Sequence, residues 1–175
     1  MNLPNKLTLL RVLLVPIFMV FLLSDLQYGS YIGLAIFIIA SLTDFLDGYL
    51  ARKNNLVTKF GKFMDPLADK LLVSAALISL QYMDRLSPWV VIIIIAREFA
   101  ITGFRTLAAS DGITIAASNW GKIKTNTQMF AIIALMIHKT PMIENILVIA
   151  AVVFTLISGF DYIYKNKQVF DSSNK

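Results

Sequence analysis

The sequence predicts an all-α integral membrane protein with six transmembrane helices. Three observations predict it. Of 175 residues, 57% are hydrophobic and 15% charged, with a mean hydropathy of +0.70, whereas soluble domains average about 45–50% apolar and about 25% charged. The apolar residues run on without period-2 alternation, which argues against the strands of a β-barrel. The charged residues gather near the ends of those runs. The same composition excludes a disordered chain. The length suits one domain, residues 1–175, of six spans of about 20 residues each.

The first apolar run is Leu7–Ser24. It reads as a retained helix rather than a cleaved leader, because no small-x-small site follows Leu23 and Arg11 sits inside the run. The second, Tyr31–Leu50, follows a polar turn, and Asp25 is the sole charge between Val12 and Thr43. The third is Phe63–Tyr82 and the fourth Pro88–Leu107. The fifth, Thr125–Ile137, extends back toward Asn119, and the sixth is Met142–Tyr164, uncharged from Asn145 to Phe160. Trp89 and Trp120 near run ends fit interfacial anchors.

Lys and Arg placement sets the expected orientation. Lys6, Lys53, Lys59, Lys62, Lys122, Lys124, Lys165, Lys167 and Lys175 fall on one side of a six-span chain, and only Arg85 and Lys139 on the other. Both termini are therefore expected in the cytoplasm, as in a multi-pass cell-membrane protein whose active site faces that side. The excess of 16 Lys+Arg over 11 Asp+Glu fits this orientation and anionic headgroups. Basic residues dispersed among apolar helices do not suit nucleic acid. With no cysteine, a disulfide framework, a thiolate metal site and a cysteine nucleophile are excluded.

Four aspartates stand at the facing ends of the second and third runs: Asp44, Asp47, Asp65 and Asp69. Three and four residues on a helix are about 60° and 40° apart, so each pair lines one face. An ionised carboxylate near hydrocarbon costs on the order of 2.5–3.5 kcal/mol. Four together also repel one another unless neutralised. An oxygen-only set without His or Cys suits Mg²⁺ or Mn²⁺. Two such ions would balance the four charges and attract a pyrophosphate, the logic of two-metal phosphoryl transfer. The bland alternative pairs each acid with Arg52, Lys53, Lys59, Lys62 or Lys70. Gly48, Ala51 and Gly61 beside the acids leave room for a base or pyrophosphate at the backbone, or for close helix packing.

Written out, Asp44 to Asp69 reads D-x2-D-G-x2-A-R-x8-G-x3-D-x3-D. This stretch resembles, at every fixed position, the signature of the CDP-alcohol phosphotransferase family. The resemblance implies a six-helix membrane enzyme that moves a substituted phosphate from a CDP-linked donor to an alcohol and releases CMP. It implies Asp44, Asp47, Asp65 and Asp69 as metal ligands, with Asp69 also the general base. It places Gly48, Ala51, Arg52 and Gly61 along the nucleotide, and a homodimer is expected from it too.

The acceptor is read from the remaining charges. Arg97 and Arg105 lie eight residues apart on the fourth run, about two turns, and Lys122 and Lys124 open the fifth. Guanidinium groups suit a phosphate dianion. The other readings are an Arg97–Glu98 ion pair and Lys122 and Lys124 as positive-inside anchors. The segments Asn2–Arg11, Arg97–Arg105 and Ala117–Thr125 resemble the branch of that family whose donor is CDP-diacylglycerol and whose acceptor is sn-glycerol 3-phosphate. Asn5 and Thr8 then close over the nucleotide, or serve as plain helix caps. Inositol phosphate as acceptor is the sister alternative, and a divalent-cation transporter the alternative of another class. His138 reads as a loop residue without a catalytic part.

Overall fold

The computed structural model describes residues 2–53, 58–110, 115 and 118–167, with side chains at 3–4, 44–53, 59–60, 62–63 and 110 outside the description. Six helices follow in order: α1 Leu3–Leu22, α2 Gly29–Lys53, α3 Lys59–Tyr82, α4 Pro88–Ser110, α5 Asn119–Ile137 and α6 Pro141–Lys165. No strand occurs among the described residues. Each helix matches one expected run, with α1 ending at Leu22, two residues before the end expected for the first. Their starts are set by polar caps that hydropathy overlooks. Asn2 accepts from the Asn5 amide (3.2 Å), Thr58 from Gly61 (2.9 Å) and Ser118 from Gly121 (3.0 Å), satisfying amides that lack an intrahelical partner. Helix α3 therefore begins at Lys59 rather than at Phe63.

The helices form two compact units, Met1–Leu86 and Ser87–Lys175. In the first, α1 packs against α2 and α3. The rings of Phe18 and Phe37, both fully buried, meet at 5.8 Å, and Leu22, Ala40, Leu72, Ala76 and Leu80 complete that core. Arg11 is buried among them, and its Nε donates to the Ala40 carbonyl at 3.3 Å. In the second, α6 packs against both α4 and α5. Ile101, Phe104, Ala108 and Tyr162 form one apolar cluster, with the Phe104 and Tyr162 rings edge-on at 6.1 Å.

Among the described residues, two helices are long and apolar enough to cross a membrane, over Asn5–Leu22 and Pro141–Lys165. They are not the buried core helices of a soluble fold. Leu13, Val20, Ile149 and Phe160 are each more than 60% exposed, and a helix apolar on every side belongs in an apolar medium. Helix α2 is apolar over the shorter stretch Gly29–Thr43. Helix α3 carries Lys59, Lys62, Asp65, Asp69 and Lys70 in its first half, which lowers its hydropathy at the end where chemistry is expected.

Helices α5 and α6 are joined by a tight turn. His138 caps α5 in the left-handed conformation, φ 47° and ψ 54°. Its Nδ1 lies 2.9 Å from Glu144 Oε2, and Glu144 Oε1 accepts from the Thr140 amide at 3.1 Å. Glu144 thereby satisfies the start of α6 from inside the helix, where Thr140 itself makes no side-chain cap. His138 is thus a structural turn residue.

Candidate active site

Within the first unit, the starts of α1 and α3 are brought together by polar side chains. The Thr8 hydroxyl, wholly buried, donates to Asp65 Oδ1 at 2.6 Å. The Thr58 hydroxyl donates to Asn5 Oδ1 at 2.9 Å while accepting the Gly61 amide. Gly61 stands where these groups converge. A β-carbon there would meet Asn5 Oδ1 and Thr58 Oγ1 at 3.2 Å and Asp65 Oδ2 at 3.4 Å. The glycine is therefore required by close approach, not by a turn. Four sequence-derived candidates, Asn5, Thr8, Gly61 and Asp65, share one cluster.

Asp69 lies one turn beyond Asp65 on α3, and both are half-buried. Asp44, Asp47, Gly48, Ala51 and Arg52 belong to the last turns of α2, but their side chains lie outside the described residues. Among described residues, no group of three or more acidic, His or Cys side chains gathers as a metal cage, and two of the four expected ligands are not in that set. Two hard-oxygen donors one turn apart, one already oriented by a hydroxyl, have the donor chemistry for Mg²⁺ or Mn²⁺. The Asn5 and Thr8 side chains both bond to groups at the start of α3, so neither is a simple cap of its own helix.

In the second unit, Arg97 of α4 and Lys124 of α5 are brought together by a residue not among the candidates. Glu98 Oε1 pairs with Lys124 Nζ and lies 3.6 Å from Arg97 NH1. Arg97 NH2 donates to Ser158 Oγ of α6 at 3.0 Å, and Ser158 in turn donates to the Thr155 carbonyl at 3.1 Å. Lys124 is only 5% exposed, far from the solvated position of an anchoring lysine. Lys122 and Arg105, by contrast, are exposed. The Arg97–Glu98 pairing weighed from sequence is present, but as part of a larger network. Glu98 was legible as a charge in an apolar run. Ser158, a small neutral residue within α6, carried no signal.

The chain is similar to known proteins over its whole length. The family model described as CDP-alcohol phosphatidyltransferase matches residues 1–157, and thus helices of both units. A CDP-diacylglycerol–glycerol-3-phosphate 3-phosphatidyltransferase of Bacillus subtilis (strain 168) is 48% identical, with 99% of each chain covered. A protein of the same name from Rickettsia felis is 36% identical over 97% of each chain. Another from Haemophilus influenzae is 39% identical over 90% of this chain and 85% of its own.

Proposed function

The chain belongs to the CDP-alcohol phosphatidyltransferase family, and on that premise we propose that it transfers a phosphatidyl group from CDP-diacylglycerol to sn-glycerol 3-phosphate. The products are phosphatidylglycerophosphate and CMP, which makes the enzyme a phosphatidylglycerophosphate synthase. The observation that carries the reading is the unbroken D-x2-D-G-x2-A-R-x8-G-x3-D-x3-D stretch in a chain 48% identical to a relative of that name. In the same reading residues 1–175 form one membrane domain of six spans. Both termini and the site face the cytoplasm, and the protein works as a homodimer in the bilayer.

The residues divide the labour as follows. Asp44, Asp47, Asp65 and Asp69 would hold Mg²⁺ or Mn²⁺, two ions in all. The bound cations supply charge stabilisation for the pyrophosphate and its departing CMP. Gly48, Ala51, Arg52 and Gly61 lie along the nucleotide, and Asn5 and Thr8 fix the ends of α1 and α3 around it. Asp69 accepts the proton of the acceptor hydroxyl as its oxygen attacks the phosphorus that bears diacylglycerol. A new oxygen–phosphorus bond forms, and the bond to CMP breaks. Arg97, Arg105, Lys122 and Lys124 bind the acceptor's phosphate, which removes orientational freedom before reaction. A phosphorylated acceptor accounts for a buried guanidinium–ammonium pair better than an uncharged alcohol does.

The test is CMP release by purified protein in micelles with CDP-diacylglycerol and Mg²⁺. Glycerol 3-phosphate should support turnover, and inositol phosphate or serine should not. Turnover with inositol phosphate alone would reassign the acceptor. Absence of CMP with every acceptor and metal, beside ion flux in vesicles, would move the protein to the transporters.

A further inference from the structure

We propose that Glu98 is the positioning residue of the acceptor-phosphate subsite, holding Arg97 and Lys124 at a fixed spacing through one carboxylate oxygen. This rests on the reading of those two cations given above.

Successive residues on a helix point about 100° apart and do not normally face each other. Arg97 and Glu98 nevertheless converge, NH1 to Oε1 at 3.6 Å, and the same oxygen pairs with Lys124 from α5. The guanidinium is also held from the far side by Ser158 at 3.0 Å. Its stem lies along α6, where a β-carbon on Gly159 would sit 3.4 Å from Arg97 Cγ. Arg97 is therefore fixed by α4 and α6 at once. Yet its Nε is buried and has no hydrogen-bond partner among the described residues. A buried N–H left unmade is unfavourable. A guanidinium held from two helices with one N–H left over has the donor chemistry to bind an anion.

Glu98 has two opposed effects on an incoming phosphate. Its charge repels the dianion, while its bonds keep two flexible cations where the dianion needs them. Lys124 and Arg97 are long side chains with many rotamers to lose when unrestrained. All three side chains are only 6–16% exposed, so the carboxylate is held against its two cations rather than out in water, and its charge is largely spent on them.

The experiment compares wild type, Glu98→Gln, Glu98→Asp and Ser158→Ala in the CMP-release assay. Glu98→Gln should raise the KM for glycerol 3-phosphate about tenfold or more, with the KM for CDP-diacylglycerol unchanged and kcat altered far less. Glu98→Asp should recover most of the loss, and Ser158→Ala should raise the acceptor KM about threefold. Protection by inorganic phosphate against thermal unfolding gives a second readout, about tenfold weaker in Glu98→Gln. An acceptor KM and phosphate affinity equal to or better than wild type would overturn the proposal. If Glu98→Gln fails to fold, Glu98→Ala takes its place with the same expected rise in acceptor KM and the same weaker phosphate protection, and wild-type values for both in that variant would equally overturn the proposal. If the wild type uses a different acceptor, the acceptor assignment fails, and the phosphate readout still decides on Glu98.

Discussion

The hydroxyl of Thr8 donates to Asp65 Oδ1 at 2.6 Å, joining residues 57 apart in sequence at the starts of α1 and α3. A carboxylate oxygen held this way cannot rotate freely, so the direction of the other oxygen is fixed before any ligand arrives. Groups that orient a metal ligand commonly contribute 10–100-fold in affinity.

Thr8→Val should therefore raise the Mg²⁺ concentration needed for half-maximal CMP release by about tenfold. Thr8→Ser keeps the donor and should stay close to wild type. A metal titration of the three proteins at saturating substrates checks this. Equal half-points for Val and Thr would show that the hydrogen bond has no part in metal affinity.

Gly61→Ala should lower kcat/KM on the order of tenfold. The added methyl meets Asn5 Oδ1 and Thr58 Oγ1 at 3.2 Å and Asp65 Oδ2 at 3.4 Å, so a neighbour beside the Asp65 carboxylate must give by a few tenths of an ångström. Small displacements at a reacting centre are expensive in rate. Steady-state kinetics alongside a melting curve separates this loss from unfolding.

Asp69→Asn should lower turnover by at least about a hundredfold, since it removes the proposed base. The melting temperature should move by no more than a few degrees. Binding of CDP-diacylglycerol, followed by thermal protection, should weaken as well, because Asp69 is also a proposed metal ligand. A rate near wild type would remove Asp69 from the proton-transfer step.

Glu144→Ala should destabilise the protein by about 0.5–1.5 kcal/mol while sparing activity. The change removes the acceptor of the Thr140 amide and the partner of His138, both at the exposed α5–α6 turn where water can take its place. His138 and Lys124 are fourteen residues apart on α5 and its cap, about 21 Å along the axis. Thermal melts and acceptor kinetics on one preparation test both halves of the expectation.

The six helices were legible because apolar runs of this length have few other uses, and the expected runs fall within helices that differ mainly at their ends. The differences come from polar signals. Thr58 starts α3 four residues before apolarity does, and α2 continues through its charged end to Lys53. The acidic set was legible as a spacing of residue types. What spacing could not supply was partnership across the fold. Thr8 and Asp65 pair only because α1 packs on α3. Glu98 reaches Lys124 only because α4 and α5 meet at that pair, and Ser158 matters only because α6 lies behind Arg97. Arg11 stood out as a charge in an apolar run, but its clasp on the Ala40 carbonyl depends on the α1–α2 packing.

Lys124 and Lys122 sit two residues apart on one helix, one almost wholly enclosed and the other open to its surroundings. Mobile ions shield an open charge within roughly 8–10 Å at ordinary ionic strength, but reach an enclosed one poorly. Rising salt should thus slow the arrival of an anion drawn by Lys122 long before it loosens one already gripped by Lys124. Capture and retention are consequently separable by buffer composition alone.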